Sequence, residues 1–459
     1  MLPQYILAAI RHVNVASGPI SPFAWPWVVI ILGSTGQSLS NGAHGDPAIT
    51  TSQPYANIQL HDSSGNYTSA SSGTWSMIPL IAQERAEKAG YGAYPNNLWT
   101  NGESADVTLL DCLRAVSGTG IFGASNVGMG GENISQISPG GASGAYEAHI
   151  REANVYQTLT TAAHQTSGWL AIELTHGEAD GNNASYATGL DTLWADYNSG
   201  ITGIPSVTGQ SRGIPFVLSQ QNGFPESLTS LGAFENLSAV AQWTWCQANP
   251  TKCIMSGPKY QLPSYSDREH LVGPSYRLLG EQDCRAVWTW FTTGSWQPFW
   301  PTSYTIVGSI ATVNFHVPQG PIVIDTLYTA PHGAGASFGA NGAIFGSGHN
   351  GWTGGLGGEG WNGGMHGTPV NLSTVSFTSN PTGPNVTATI QWTFTSTIDT
   401  FAYAHTPDVL NNFTMGYAGV SGGSPTPDGR CGVLKDSYAT PGPITGTVMP
   451  NYLIEFRVP

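Results

Sequence analysis

The first two thirds of the chain alternate between short apolar runs and longer segments with helical spacing. The run at 27–32 (WVVIIL) is rich in β-branched residues and is followed at once by glycines, so it predicts a buried strand that ends in a tight turn. Similar runs lie at 169–174 and 214–218, and helical spacing occurs at 78–89, 146–163, 186–197 and about 274–291. Strands that alternate with helices predict a three-layer α/β/α domain around a mainly parallel sheet.

A different pattern begins near Gly294, where apolar and polar residues alternate with period two. The segments that show it are 304–317, 321–330, 370–379, 386–396 and 451–458. They predict an all-β sandwich or jelly roll. We therefore divide the chain into an N-terminal extension (1–26), an α/β domain (27–293) and a β-sandwich accessory domain (294–459), which is a candidate carbohydrate-binding unit.

A glycine-rich stretch at 332–367 interrupts the β pattern and predicts surface loops, because it is long and has no periodicity. Its aromatic residues are Phe338, Phe345, Trp352 and Trp361. Stacking on sugar rings and simple anchoring of the loops are both consistent with these side chains.

Composition narrows the class of protein. Hydrophobic residues make up 40% of the chain, so a folded core is expected, and only 9% of residues are charged, against about 25% in an average globular domain. This balance favours an extracellular, periplasmic, or virion or cell-surface location. The net charge of −14, without a run of Lys or Arg, argues against nucleic acid as a partner. The apolar stretch at 1–13 is too short to span a membrane, so no integral membrane segment is predicted.

Cysteine spacing leaves two interpretations open. The five cysteines are Cys112, Cys246, Cys253, Cys284 and Cys431, and none forms a C-x-x-C pair, so no metal site is predicted. Cys246 and Cys253 are near enough in sequence to pair across a small loop, and five buried thiols are an equally consistent alternative. The odd number leaves at least one cysteine unpaired within the chain.

The turn after the first strand is a candidate site for a nucleophile. Glycines flank Ser38 within the sequence 33–42 (GSTGQSLSNG), which allows a sharp turn that presents Ser38 at the start of a helix. The backbone N–H of Ser38 can then face a developing oxyanion. A Gly- and Ser-rich turn without chemistry would have a similar sequence.

A candidate base lies just ahead of the last predicted helix of the α/β domain, in the segment 266–271 (SDREHL). The spacing brings Asp267 beside the imidazole of His270, so that the carboxylate accepts from Nδ1–H and leaves Nε2 as a base. A D-x-x-H sequence also arises by chance in turns that cap a helix. Its place at the end of a domain that opens with a strand-to-serine turn favours catalysis, which then needs no metal and no cofactor.

Two further segments supply candidate donors to the oxyanion. The segment 128–133 (GMGGEN) offers backbone N–H groups, with a plain glycine turn as the alternative. His176 follows the strand at 169–174 and can donate from a ring nitrogen. A histidine at a strand end is often only a structural hydrogen-bonding residue.

In this order the blocks resemble those of the SGNH hydrolase superfamily, specifically its sialate O-acetylesterase-like and carbohydrate acetylesterase branch. The matching blocks are Gly36-Gln37-Ser38, Gly130-Gly131, His176-Gly177-Glu178-Ala179-Asp180 and Asp267-Arg268-Glu269-His270-Leu271. The likeness covers roughly residues 27–293. It implies a flavodoxin-like domain in which Ser38 is the nucleophile, His270 the general base and Asp267 its orienting partner.

The same resemblance implies an oxyanion hole made by the N–H groups of Ser38 and Gly131 and by the side chain of His176. The residues implied as substrate contacts are Gln37, Gly130, Glu178 and Asp180. Position 176 departs from the family pattern, which has an amide there, so a neighbour must hold the histidine tautomer. Glu132 stands where a small hydroxyl residue is usual, which leaves the glycine assignment open by about one position.

The expected activity is hydrolysis of carboxylic esters on an acetylated polysaccharide or oligosaccharide, through a Ser-His-Asp triad and an acyl-enzyme. One alternative is a polysaccharide O-acyltransferase, in which a sugar hydroxyl replaces water in the second step. Another is a non-catalytic carbohydrate-binding surface or phage-tail protein.

Overall fold

The computed structural model describes residues 24–45, 48–62, 74–82, 102–221, 236–263, 269–324, 337–338, 344–345, 358–363, 368–370, 372–403 and 434–458. Outside the described residues lie Asp267, Trp352, Cys431 and the side chains of Phe338, Phe345 and Trp361.

The first part of the described chain alternates between strands and helices. Its strands are β1 (Val29–Gly36), β2 (Ile58–Asp62), β3 (Trp75–Pro79), β4 (Ile121–Asn126), β5 (Ser167–Thr175), β6 (Phe216–Gln220) and β7 (Cys253–Pro258). Its helices are α1 (Ala105–Ser117), α2 (Ala145–Ala162), α3 (Tyr186–Tyr197), α4 (Ile204–Thr208), α5 (Leu237–Ala248) and α6 (Gly273–Thr293).

These strands form one sheet in the order β3-β2-β4-β1-β5-β6-β7. All neighbours are parallel except β2 and β3. The run β4-β1-β5-β6-β7 has the flavodoxin-like order, in which the strand order reverses between β1 and β5. Open sheets of this type place their sites in the crevice beyond the carboxyl ends of the strands at that reversal.

Both faces of the sheet are covered, which explains why β1 is a continuous apolar run. Ile30 and Leu32 pack with apolar residues of α1 and α6, whereas Val29 and Ile31 pack with those of α2, α3 and α5. Successive side chains of a strand point to opposite faces, so a strand between two helical layers has no polar side. The predicted three-layer α/β domain is confirmed.

The second part of the chain is all β. Its strands are β8 (Trp300–Val307), β9 (Ile310–Gly320), β10 (Val323–Ile324), β11 (Ser337–Phe338), β12 (Ile344–Phe345), β13 (Gly358–Asn362), β14 (Thr368–Val370), β15 (Leu372–Ser379), β16 (Gly383–Phe394), β17 (Thr400–Tyr403), β18 (Leu434–Lys435) and β19 (Phe456–Val458). Two four-stranded antiparallel sheets result, in the orders β15-β16-β9-β8 and β14-β13-β17-β19.

Aromatic side chains join the two sheets face to face. Phe315 of β9 contacts Phe456 of β19 with ring centroids 5.9 Å apart, and Trp392 of β16 contacts Phe401 of β17 at 4.8 Å. All four side chains are buried. The predicted β-sandwich is therefore confirmed.

The start of the helix predicted at 78–89 is wrong, because its first residues belong to a strand. Ile78 and Pro79, the first residues predicted as helical at 78–89, end strand β3, where Ile78 pairs with Gln59 of β2 in an antiparallel register. Pairing between strands is a tertiary interaction that helical spacing within one segment does not reveal. Residues 83–89 lie outside the described segments.

Two disulfides lie in the α/β part. Cys112 of α1 pairs with Cys284 of α6, and Cys246 of α5 pairs with Cys253 of β7. The first disulfide joins the two helices on one face of the sheet, and the second closes the connection between α5 and β7. None of the helices in the described segments combines the length and apolar character needed to cross a bilayer.

Candidate active site

The end of β1 explains how Ser38 reaches the carboxyl edge of the sheet. Gly36 has φ +132°, and a Cβ there would lie 2.1 Å from the carbonyl oxygen of Thr175 in the neighbouring strand β5. The N–H of Gln37 donates to that same carbonyl at 3.2 Å. Only glycine fits a backbone that comes so close to another strand, and β1 ends at this residue, two positions before Ser38.

Where the sequence predicts the start of a helix, Ser38 begins a single 3₁₀ turn, Ser38–Asn41. The turn ends at Gly42, which has φ +78°. The end of β4 holds this turn in place, because Asn126 Nδ2 donates to the carbonyl of Ser40 at 2.8 Å. The Ser38 side chain is partly exposed at this edge.

His270 contacts Ser38 directly. Its Nε2 lies 2.6 Å from Ser38 Oγ, although 232 positions separate the two residues in sequence. His270 lies three positions before α6 (Gly273–Thr293) and is 9% exposed. Such a short contact lets a neutral imidazole accept the hydroxyl proton, which is the geometry of a serine nucleophile with its general base.

Gln37 connects the two segments that carry this pair. Its Nε2 donates to Glu269 Oε1 at 3.3 Å, and its Oε1 accepts from the Ala179 N–H at 3.1 Å. The side chain is 1% exposed. Both ends of the amide are therefore used inside the protein, so the structure gives Gln37 a supporting position and not the predicted contact with substrate.

The predicted glycines lie beside the serine on an exposed rim. A Cβ at Gly130 would lie 3.6 Å from Ser38 Cβ, whereas a Cβ at Gly131 would meet no described atom within 4 Å. Gly131 has φ +77°, which favours glycine. Of the two, Gly130 thus lies against the Ser38 side chain, and both glycines are exposed.

His176 occupies a different environment from the predicted one. Its Nε2 lies 3.0 Å from the carbonyl oxygen of Glu132, and its Nδ1 lies 2.8 Å from the hydroxyl of Tyr186. A carbonyl only accepts, so Nε2 carries the proton and Nδ1 accepts from the tyrosine. Burial lowers the pKa of His176, which keeps the ring neutral. With no exposed surface and both nitrogens engaged, His176 has no N–H left for an oxyanion.

Glu178 and Asp180 are also held inside the protein. Glu178 Oε1 accepts from Lys259 Nζ at 2.9 Å, and both side chains are buried. Burial by itself would raise the pKa of Glu178, but the ammonium of Lys259 lowers it overall. Asp180 Oδ2 accepts from the N–H of Ile134 at 2.7 Å, which ties this loop to the glycine segment. Neither carboxylate is placed as a predicted substrate contact requires.

A pair of buried acids lies below the site. Burial raises the pKa of Glu173 in β5 well above its usual range, and the neighbouring Asp283 and Asp106 raise it further. Burial also raises the pKa of Asp283 in α6 to about 7. At neutral pH the pair therefore retains protons that exposed carboxyls would lose.

Three residues near the site were not predicted. They are Glu269, which accepts from Gln37, Lys259, which neutralises Glu178, and His44, whose ring lies 4.9 Å from that of His270. The sequence around His44, between Gly42 and Gly45, signals only a tight turn. Among the described residues, no cluster of His, Cys, Asp or Glu has the arrangement of a metal site.

Comparison with known proteins adds information on the fold. No protein-family model and no curated protein matches the chain. Among solved structures, it is similar to a carbohydrate acetylesterase from Xanthomonas citri, with a TM-score of 0.54 and 11% identity over 94% of this chain and 80% of that one. It also overlaps a protein from Arabidopsis thaliana (TM-score 0.39, 15% identity, 57% of this chain and 99% of that one) and NanS (TM-score 0.41, 12% identity, 59% and 100%). The first likeness extends over both parts of the chain and shows a shared fold.

Proposed function

We propose that the chain is a serine esterase of the SGNH type that removes acyl groups, acetyl in particular, from carbohydrate. The observation that carries this proposal is the 2.6 Å contact between Ser38 Oγ and His270 Nε2. It lies at the carboxyl edge of a flavodoxin-like sheet, beside the strand-order reversal where such folds place their sites.

The proposed reaction has two halves. His270 Nε2 takes the proton of Ser38 as Oγ attacks the ester carbonyl, and the alcohol leaves with that proton to give an acyl-enzyme. Water then loses a proton to the same nitrogen, attacks the acyl group and releases the acid. Asp267 is the proposed orienting partner of His270 on the strength of the D-x-x-H spacing.

Backbone donors are the proposed oxyanion hole. The N–H of Ser38 and an N–H of the 130–131 segment are the candidates, because Gly130 lies beside Ser38 and the segment is exposed to substrate. His176 is left out, since both of its ring nitrogens are engaged elsewhere. The proposed oxyanion hole therefore consists of these two backbone N–H groups.

An acetylated polysaccharide or oligosaccharide is the proposed substrate. The fold shared with a carbohydrate acetylesterase supports this choice. The exposed glycine rim beside Ser38 also supports it, because a bulky chain has room to approach. For the location we propose the outside of the cell, the periplasm, or a virion or cell surface, since disulfides such as Cys112–Cys284 persist in oxidising compartments.

The test is release of acetate from a panel of acetylated polysaccharides, with a small aryl acetate as control. Wild type should release acetate, and Ser38→Ala should lose at least about a thousandfold in rate while its unfolding transition stays the same. Acetylation of an acceptor sugar from a donor ester would instead indicate an O-acyltransferase. Glycan binding that persists in Ser38→Ala, with no turnover by wild type, would indicate a binding protein.

A further inference from the structure

A second imidazole lies next to the proposed general base. The ring centroids of His44 and His270 are 4.9 Å apart, with an angle of 59° between the planes. His44 is partly exposed, whereas His270 is buried. His44 is therefore the more exposed of two adjacent imidazoles.

The backbone of His44 is held in an unfavourable conformation. Its φ is +60°, in the left-handed region that a residue with a Cβ rarely adopts. A strained conformation of this kind persists only when the surroundings determine it, and it is concentrated at functional sites.

Backbone contacts on both sides of His44 hold the turn in this conformation. A Cβ at Gly42 or at Gly45 would lie 2.3 Å from the carbonyl oxygen of Glu103, so the turn on either side of His44 is pressed against the backbone. The N–H of Ala43 donates to the carbonyl of Ser38 at 3.1 Å. The turn that carries His44 is therefore attached to the nucleophile itself.

The same turn is attached to the helix that follows His270. Tyr276 of α6 donates from its hydroxyl to the carbonyl of Ala43 at 2.7 Å. Both the nucleophile and the segment after the base thus contact the residue before His44. This arrangement fixes the backbone that precedes His44 relative to Ser38 and to the first turn of α6.

We propose that His44 is a positioning residue for His270, an inference that rests on the proposed function. Its ring packs against the imidazole of His270 and restricts rotation of that ring, so that Nε2 stays within 2.6 Å of Ser38 Oγ. Without this restriction the ring is restrained by its other partners alone and is turned away from the hydroxyl for more of the time. Because a misplacement of about 1 Å can cost roughly a hundredfold in rate, removal of the ring should lower kcat by about 10- to 100-fold and leave KM within about threefold.

The experiment separates the ring from the backbone. His44→Gly removes the ring and keeps a residue that tolerates positive φ, whereas His44→Phe keeps a flat ring without ring nitrogens. His164→Gly is the matched control, because His164 also has a positive φ, +54°, but lies in the exposed turn between α2 and β5, at the opposite edge of the sheet. Each variant is compared with wild type for thermal unfolding and for kcat and KM on an aryl acetate.

A fluorophosphonate gives a readout that needs no carbohydrate. Ser38 Oγ attacks its phosphorus, fluoride leaves, and the serine proton passes to His270, so the labelling rate reports how well the base is placed. We expect His44→Gly to label about 10- to 100-fold more slowly than wild type, and His44→Phe and His164→Gly to stay within about threefold.

Four results are decisive. Labelling and kcat of His44→Gly within threefold of wild type would overturn the inference, as would His44→Phe as slow as His44→Gly. An equal loss in His164→Gly would also overturn it, because relief of strain would then be the cause. Wild type that labels rapidly but releases no acetate from any carbohydrate would refute the proposed function alone, and the labelling rates of the variants would still decide the role of His44.

Discussion

The buried ion pair between Lys259 and Glu178 makes a strong prediction about stability. Their side chains are 0% and 3% exposed and their charged atoms are 2.9 Å apart. The pair joins the loop after β5 to the segment after β7, two of the strand ends that surround the site. Replacing Lys259 by Met keeps most of the apolar stem but removes the ammonium, and leaves the carboxylate of Glu178 buried without its counter-charge.

The cost of Lys259→Met should be about 3–5 kcal/mol near neutral pH, since removal of one partner of a buried pair leaves an uncompensated charge. Replacing both partners, with Glu178→Gln added, should recover at least half of that loss. The matched control is Lys252→Met, which breaks the exposed pair between Lys252 and Asp191, 26% and 52% exposed. Its cost should be about 1 kcal/mol or less.

The pH dependence of the loss distinguishes an unpaired charge from poor packing. In wild type the pKa of Glu178 is lowered, so its contribution to stability is present above the unfolded pKa of about 4.3 and is lost as the pH falls through the folded value. In Lys259→Met burial acts without the ammonium and raises that pKa. The carboxyl then takes up a proton in mild acid, and the deficit relative to wild type should shrink between about pH 7 and about pH 5.

Urea unfolding followed by tryptophan fluorescence at both pH values measures these differences. If Lys259→Met lost no more free energy of unfolding than Lys252→Met, breaking the buried pair would not leave an uncompensated charge on Glu178. A deficit that stays constant, or grows, on acidification would refute the electrostatic reasoning and leave lost packing as the cause.

Two further predictions concern residues below and beside the nucleophile. Gln37→Leu removes the hydrogen bonds to Glu269 and Ala179. We expect kcat on an aryl acetate to fall about tenfold and the free energy of unfolding to fall by about 1–3 kcal/mol. Unchanged kinetics would contradict the supporting position of Gln37. Asp283→Asn should raise the free energy of unfolding by about 1–3 kcal/mol at pH 8 and by much less at pH 5. With a folded pKa raised to about 7, Asp283 stabilises the protein at low pH and loses that contribution as the pH rises through this value. If urea unfolding showed an equal gain in stability for Asp283→Asn at pH 5 and at pH 8, this explanation would be wrong.

The sequence predicted those elements whose pattern is local. Strand β1, helices α2 and α3 and the β9 and β16 strands follow from apolar runs, helical spacing or alternation within one segment. The helix predicted at 78–89 is wrong at Ile78 and Pro79, which end strand β3 and pair with β2, and α1, β4, α5 and β7 have no counterpart among the predicted elements. Those elements contain glycine, serine, cysteine or buried polar residues such as Asp106 and Gln242, whose burial depends on partners elsewhere in the chain.

The site shows the same division. The strand-to-serine turn at 33–42 and the D-x-x-H segment just ahead of the last helix predicted that Ser38 and His270 belong together. The roles of Gln37 and His176 were beyond the reach of sequence, since each depends on partners that lie far away along the chain. His149 is a second buried histidine with a structural role. Its ring contacts the Tyr197 hydroxyl and the Ser125 carbonyl, much as His176 contacts a tyrosine and a carbonyl. Burial lowers the pKa of His149 to about 4.

The last strand of the sandwich is bound to the α/β domain through buried polar groups. Glu455, one position before β19, accepts from Asn236 Nδ2 at 2.7 and 2.6 Å. Its backbone exchanges two hydrogen bonds with the amide of Gln220 at the end of β6, each 2.8 Å long. A buried carboxylate that accepts hydrogen bonds at both oxygens is costly to leave without its donor, so this end of the chain and the α/β domain stabilise one another.

The same network continues to the loop after β5. The side chain of Gln221 donates to Asn236 and to Ser238 Oγ, and Ser238 donates to the carbonyl of Gly177 at 2.8 Å. Gly177 follows His176 and precedes the buried Glu178, so the loop that borders the nucleophile is held from the side of the sandwich. The β part of the chain is therefore connected, through an unbroken series of buried hydrogen bonds, to the scaffold of the site. A boundary at residue 294 describes where the sequence pattern changes, but the last residues of the chain help to complete the α/β domain.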